Sequence, residues 1–334
     1  MEYSYIELDG ALIRNADDSV RTFIEEWNNG LPYIVAHTSG STGKPKEIRL
    51  PKGDMLQSAA ATCRRFGITG GSVMVLPLSV DYIAGKMMVV RAMVSKSVLW
   101  IEQPSNHPIK SNYGTIDLLP VVPSQVAWLL DNTQIIEKIR CLIIGGGAVS
   151  PEMESRLRQL GINAYATYGM TETCSHVALR DIGSGTSVYE ALPGISFGID
   201  ERGCLVVNAP EFSFGKLVTN DIANLIDSYH FEWMGRWDNV INTGGIKVFP
   251  EMMEQRVASV VVLPRFYFIG RPSTKWGEEV VMYIESGPQS SAVNENIILS
   301  QIGKVLNCYE MPKEIITVRE FERTASGKIK RLLL

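Results

Sequence analysis

The chain has 334 residues, enough for two domains, and its 45% hydrophobic content can fill real cores. Its 32 basic and 36 acidic residues leave a formal net charge of −4, which gives nucleic acid or an anionic membrane no electrostatic handle and leaves a small anion held by local cations as the charged partner. Five scattered cysteines without a Cys-x-x-Cys pair argue against a disulfide framework and a zinc site, and the lack of a secretory start or of a membrane-length apolar run predicts a soluble, unprocessed, cytoplasmic protein.

An edge element opens the chain, and an amphipathic helix over 20–27 is closed by the turn Asn28-Asn29-Gly30. The apolar, partly β-branched stretch 32–37 reads as a strand that runs into Thr38-Ser39-Gly40-Ser41-Thr42-Gly43-Lys44-Pro45-Lys46. Hydroxyls, glycines and lysines in that density wrap N–H groups and cations around an anion, as a polyphosphate requires. The loop is not the common P-loop, because Pro45 stands five residues after Gly40, where that pattern needs Gly before Lys and Ser/Thr. A return strand over 47–50 and a helix over 55–66 stopped by Gly67 follow. Apolar strands at 73–78 and 97–101 then bracket a helix over 83–94, and the βαβ alternation repeats with strands at 118–122 and 141–144 and helices opening at Pro123 and at Ser150-Pro151. The expected fold is α/β: a large N-terminal domain, residues 1–236, of mostly parallel sheets flanked by helices, with short strands from about residue 190 forming a small β subdomain. A small α+β C-terminal domain, residues 237–334, is expected to carry helices over 251–260 and 294–306 and strands near 266–269 and 280–284.

Three further stretches carry chemistry. Gly145-Gly146-Gly147-Ala148 and, downstream, Tyr165-Ala166-Thr167-Tyr168-Gly169-Met170-Thr171-Glu172 pair a glycine-lined turn with an aromatic, a slot for a flat purine, while Thr171 can meet a phosphate and Glu172 a hard cation. Asp221 can accept both hydroxyls of a ribose, and Arg236 can donate to the same sugar or to phosphate. Taken singly, Tyr168 reads equally as a half-buried strand aromatic and Arg236-x-Asp238 as a surface salt bridge. Lys328, in Arg323-Thr324-Ala325-Ser326-Gly327-Lys328, can bring a point charge to a reacting phosphate or can belong to a basic solvated tail.

In this order, over 38–331, the four stretches resemble those of the acyl-adenylate-forming enzymes, which include acyl-CoA synthetases, luciferases and peptide-synthetase adenylation domains. Two departures stand out: the phosphate loop begins earlier in the chain than in most of that family, and Asn220 stands where the family more often has Gly. The resemblance implies ATP, Mg²⁺ and coenzyme A as cofactors and a small-molecule carboxylate as substrate. It implies ATP binding by Thr38, Ser39, Gly40, Ser41, Thr42, Gly43, Lys44, Lys46, Gly146, Gly147, Ala148 and Gly169, with Tyr168 on adenine and Asp221 and Arg236 on ribose. Thr171 on the α-phosphate, Glu172 on the metal and Lys328 as the adenylation lysine complete its catalytic set. Asp238 falls at the hinge about which a mobile C-terminal domain rotates, bringing Gly244, Gly245 and Lys247 to coenzyme A.

By the same resemblance Tyr82, Gly85, Lys86, Ser175 and His176 line the acyl pocket. Lys86, Arg91, His176 and Arg180 are unusually polar for a fatty-acyl tunnel, and a single cation turned inward would favour a substrate with a second carboxylate. In that respect the short chain is similar to the o-succinylbenzoate–CoA ligases of menaquinone biosynthesis. Another aromatic or short-chain carboxylate–CoA ligase, and an adenylation domain that loads a carrier protein, stay open, as does a homo-oligomer.

Overall fold

The computed structural model describes residues 5–37, 47–261, 263, 265–286, 295–323 and 329–333. Its first elements follow local signals. Strands β1 (Tyr5–Leu8) and β2 (Ala11–Arg14) are joined through Asp9 and Gly10, both at positive φ. Asp17 caps helix α1 (Asp18–Asn28) by accepting from the Val20 amide at 2.9 Å. Strands β3 (Tyr33–His37) and β4 (Glu47–Pro51) form a two-stranded ladder of their own. Helix α2 (Lys52–Phe66) stops at Gly67, whose φ of 65° is the left-handed value that a glycine adopts without strain. Strand β5 (Val73–Leu76), helix α3 (Ile83–Ser95) and strand β6 (Val98–Ile101) then complete a four-stranded sheet ordered β1-β2-β6-β5, parallel across β2-β6-β5. Its core joins Ile13, Met74 and Leu99 to Phe23, Met55 and Met87 of the three helices.

The second layer begins as the expected parallel unit: β7 (Leu119–Val121), α4 (Pro123–Asp131), α5 (Thr133–Ile136), β8 (Leu142–Ile144), α6 (Pro151–Gln159) and β9 (Ala164–Met170). Ser150 caps α6 at the Met153 amide, 3.2 Å away, with Pro151 in its first turn. Antiparallel strands then extend the same sheet: β10 (Ser175–Asp181), β11 (Val188–Ala191), β12 (Ser196–Ile199), β13 (Cys204–Ala209), β14 (Gly215–Asp227) and β15 (His230–Arg236). The nine strands lie in the order β12-β13-β14-β15-β11-β10-β9-β8-β7, so the short-strand region is continuous with the parallel core. Tyr168, Tyr189, Phe197 and Phe231 pack together against its antiparallel half.

The sheet changes after Arg236. Strands β16 (Ile241–Thr243) and β17 (Ile246–Val248), helix α7 (Pro250–Ala258), strands β18 (Phe266–Ser273) and β19 (Gly277–Glu285), helix α8 (Glu295–Ile302) and strand β20 (Glu314–Val318) form an α+β unit around Met253, Phe268, Met282 and Ile298. Helix α8 is shorter than the expected 294–306, and the β16–β17 hairpin and β20 were not foreseen. Among the described residues no helix is long and apolar enough to cross a membrane.

Candidate functional site

The expected purine and ribose positions meet at one buried carboxylate. Asp221, 7% exposed on β14, accepts the Tyr168 hydroxyl at 2.8 Å, the Trp233 indole N–H at 3.3 Å and Arg236 Nη1 at 3.5 Å. The register of the β14–β15 ladder sets Asp221 directly opposite Arg236, and the Asp221 amide donates to Thr219 Oγ1 at 3.0 Å. Burial first, and the Asp221 charge second, push the Tyr168 phenol well above its ordinary value, so it stays the donor. A carboxylate has about four lone-pair sites, so three protein donors leave room for one sugar hydroxyl. The Tyr168 ring itself is buried edge-on against Phe231 and Tyr189, so the hydroxyl is the part that reaches the site. Trp233 and Thr219 were not foreseen, because their roles depend on the ladder register.

Gly145 opens the turn after β8, where a Cβ would lie 2.8 Å from Thr167 Oγ1; Gly146, Gly147 and Ala148 follow it as exposed backbone. Gly169 lets β9 and β10 close up, since a Cβ there would meet the Ser175 carbonyl oxygen at 2.1 Å. Beyond β9 a short 3₁₀ turn, Thr171–Thr173, is locked by the buried Thr173 hydroxyl, which accepts from the Met170 amide at 3.0 Å and donates to the Ser175 carbonyl at 2.7 Å. Thr171 and Glu172 are thereby left half-buried on its outer side. Among the described residues no three His, Cys, Asp or Glu side chains cluster as a metal cage. Glu172 fits Mg²⁺ of the kind that takes one carboxylate and completes its shell with phosphate oxygens and water.

The four polar acyl-pocket side chains separate into two kinds. Lys86 turns toward α1, 3.7 Å from Glu26 Oε2 and 4.7 Å from the Phe23 ring centroid, and burial lowers its pKa against the pull of Glu26. Arg180 pairs with Glu154 at 2.6 Å. Both cations are paired with carboxylates of this chain, Lys86 with Glu26 and Arg180 with Glu154. Arg91 is different. It is 1% exposed, donates from Nη2 to Ser175 Oγ at 3.1 Å, and leaves Nε buried without a hydrogen-bond partner among the described residues. Burial pushes its guanidinium down to about 10, opposed by Cys63, so it is still a cation at neutral pH. His176, 5% exposed, lies between Thr62 Oγ1 at 3.1 Å and Ser175 Oγ at 3.3 Å; burial, then Arg91, hold it well below its ordinary value and therefore neutral. Cys174 and Ser175 both adopt positive φ, 52° and 86°, a costly pair for non-glycine residues that turns the chain back from the 3₁₀ turn into β10.

Gly85 has a packing role: its Cβ would lie 2.2 Å from the Ser79 carbonyl oxygen. Tyr82, at the start of α3, is 42% exposed. Asp238 lies in the 3₁₀ turn Trp237–Asn239 and accepts from Arg236 Nη2 at 3.2 Å and Asn220 Nδ2 at 3.4 Å. Gly244 and Gly245, with φ of 60° and 82°, form the two-residue β16–β17 turn, where both positions need left-handed backbone. Lys247 rests its Nζ 4.7 Å from the Trp237 ring centroid. The phosphate-loop positions Thr38, Ser39, Gly40, Ser41, Thr42, Gly43, Lys44 and Lys46, and the terminal Lys328, lie outside the described residues.

Comparison with known proteins adds to this geometry. The model of the AMP-binding enzyme family matches residues 9–208, more than half of the chain. An acyl-CoA synthetase (AMP-forming)/AMP-acid ligase II-like protein from Dyadobacter fermentans, known from its crystal structure, is 32% identical, with a TM-score of 0.61 over 93% of this chain and 91% of that one. The 2-succinylbenzoate–CoA ligase of Listeria monocytogenes is 25% identical over 92% of this chain and 70% of its own. In fold, the o-succinylbenzoate CoA synthetase of Bacillus subtilis, solved with its acyl-adenylate intermediate, superposes with a TM-score of 0.80 at 23% identity, over 89% of this chain and 67% of that one. The chain belongs to the AMP-binding enzyme family.

Proposed function

We propose that the protein is an AMP-forming acid–CoA ligase whose acid is o-succinylbenzoate or a close aromatic keto-diacid. The substrate carboxylate attacks the α-phosphorus of ATP, giving an acyl-adenylate and pyrophosphate, and the thiol of coenzyme A then displaces AMP. The first half needs positioning and charge stabilisation more than proton transfer. Asp221 and Arg236 would hold the ribose, Thr171 the α-phosphate and Lys328 the developing charge, while the phosphate loop would cradle the outer phosphates. Mg²⁺ held by Glu172 would neutralise phosphate charge. The hinge at Asp238, between a domain of residues 1–236 and one of residues 237–334, would exchange Lys328 for Gly244, Gly245 and Lys247 between the two halves.

One observation favours the diacid. Arg91 is a fully buried cation without a carboxylate partner among the described residues, and its Nη2 reaches the Ser175 hydroxyl beside the proposed acyl site. An uncompensated buried charge costs about 3–5 kcal/mol, a burden relieved if an anionic substrate group supplies the missing partner. The relatives named for 2-succinylbenzoate support the same substrate. The test incubates the protein with ATP, Mg²⁺, coenzyme A and o-succinylbenzoate and identifies products by mass. The thioester together with AMP is expected; ADP, or no thioester with any of o-succinylbenzoate, benzoate, succinate and octanoate, would overturn the reading.

A further inference from the structure

One carboxylate sits where the two sheets and the end of the chain converge. Glu251, in the first turn of α7, accepts from Asn239 Nδ2 through Oε1, and the same oxygen lies 3.6 Å from Arg331 Nη2. Asn239 is the last residue of the 3₁₀ turn that contains Asp238, and Arg331 comes three positions after Lys328. The other oxygen, Oε2, is buried without a hydrogen-bond partner among the described residues. It faces Gly235 of β15, where a Cβ would lie 2.6 Å away and where φ is 146°. Glycine at 235 therefore makes the close approach of α7 to the nine-stranded sheet possible.

Arg331 is anchored independently of Glu251. Its Nη2 donates to Glu254 Oε2 at 2.7 Å and its Nη1 to the Phe268 carbonyl at 3.0 Å, and its guanidinium lies 5.8 Å from the Tyr267 ring centroid. Glu254 in turn accepts the Phe268 amide at 2.8 Å. The last turn of chain is thus fastened to α7 and β18. Glu251 extends that fastening across to the 3₁₀ turn, so movement at Asp238–Asn239 and movement of the segment that follows Lys328 share one side chain. Any rotation that lifts α7 from Gly235 changes the surroundings of Glu251 Oε2, which has no bond to lose there, while Oε1 has one.

We propose that Glu251 is a positioning residue that couples the 238–240 turn to the chain end carrying Lys328, and so acts on the adenylate-forming half of the reaction and not on thioester formation. The half-reaction part rests on the ligase reading above; the coupling itself does not.

Two measurements on Glu251→Ala and Glu251→Gln separate these. Without substrates, amide hydrogen exchange should rise about tenfold at both 238–240 and 329–333 in Glu251→Ala, and less in Glu251→Gln, which keeps an acceptor for Asn239. Unchanged exchange, or a rise in one segment alone, overturns the coupling whatever the protein catalyses. With substrates, pyrophosphate release should fall about tenfold in Glu251→Ala while thioester formation from supplied acyl-adenylate changes by less than about twofold. An equal fall in both halves, or in neither, overturns the half-reaction assignment. A wild-type protein that releases no pyrophosphate with any acid overturns the ligase reading instead. Should Glu251→Ala fail to fold, Asn239→Ala removes the other end of the same bond and is judged by the same outcomes.

Discussion

Tyr168 and Asp221 touch through a 2.8 Å hydrogen bond although four ladder steps separate their strands in the sheet. In a flat sheet that separation would be about 19 Å at the usual spacing of about 4.8 Å per strand. The antiparallel half therefore curls over the aromatic cluster of Tyr168, Tyr189, Phe197 and Phe231 until its two flanks meet at the candidate ribose carboxylate. Tyr168→Phe removes one donor from Asp221 and is expected to raise the KM for ATP about threefold to tenfold, with a stability loss of about 1 kcal/mol. Asp221→Ala should do more on both counts, because it strands the buried Tyr168 hydroxyl. Steady-state kinetics at varied ATP and a urea titration read the two effects.

Replacing Arg91 should separate stability from specificity. Arg91→Met exchanges a buried guanidinium that has no carboxylate partner among the described residues for an apolar chain, and a stability gain of about 1–3 kcal/mol is expected. Chemical denaturation of the substrate-free protein measures it. A loss of stability would mean that the Ser175 contact outweighs the burial of the charge.

His176 sets a pH dependence of stability. Its folded-state pKa lies below the ordinary histidine value of 6.5, so below that pH the unfolded chain binds a proton that the folded chain refuses. Stability from this group is fully present above pH 6.5 and is lost as pH falls, by up to about 1.4 kcal/mol per pH unit. Denaturation profiles between pH 7 and pH 5 should show this slope in the wild type and a shallower one in His176→Leu.

Gly85→Ala tests packing at the start of α3. The new methyl would meet the Ser79 carbonyl, a backbone atom that cannot step aside, so destabilisation of about 3 kcal/mol is expected. Thermal unfolding checks it, and an unchanged Tm would show that the 77–82 turn yields.

Local chemistry was legible in the sequence and long-range pairing was not. The Ser150-Pro151 cap, the Gly67 stop and the alternation of apolar strands with helices all act within a few residues, and the elements they announce are present. Lys86, Arg91 and Arg180 look alike as cationic residues near the acyl stretch. What distinguishes them is the carboxylate opposite, Glu26 for Lys86, Glu154 for Arg180 and none among the described residues for Arg91, and nothing within either stretch announces this. The sequence expectation sets Gly244 and Gly245 beside coenzyme A, and the hairpin supplies a separate reason for the pair, two consecutive positive φ values. The meeting of Tyr168 with Asp221 required the whole nine-strand order.

Arg91 is proposed to receive a second carboxylate of the substrate, and the ratio of kcat/KM for o-succinylbenzoate to that for benzoate, compared between wild type and Arg91→Met, tests this most directly. The expected ratio is well above one in the wild type and drops about a hundredfold in the variant, a loss of about 2.7 kcal/mol of transition-state discrimination. An unchanged ratio, or benzoate preferred by the wild type, would contradict it.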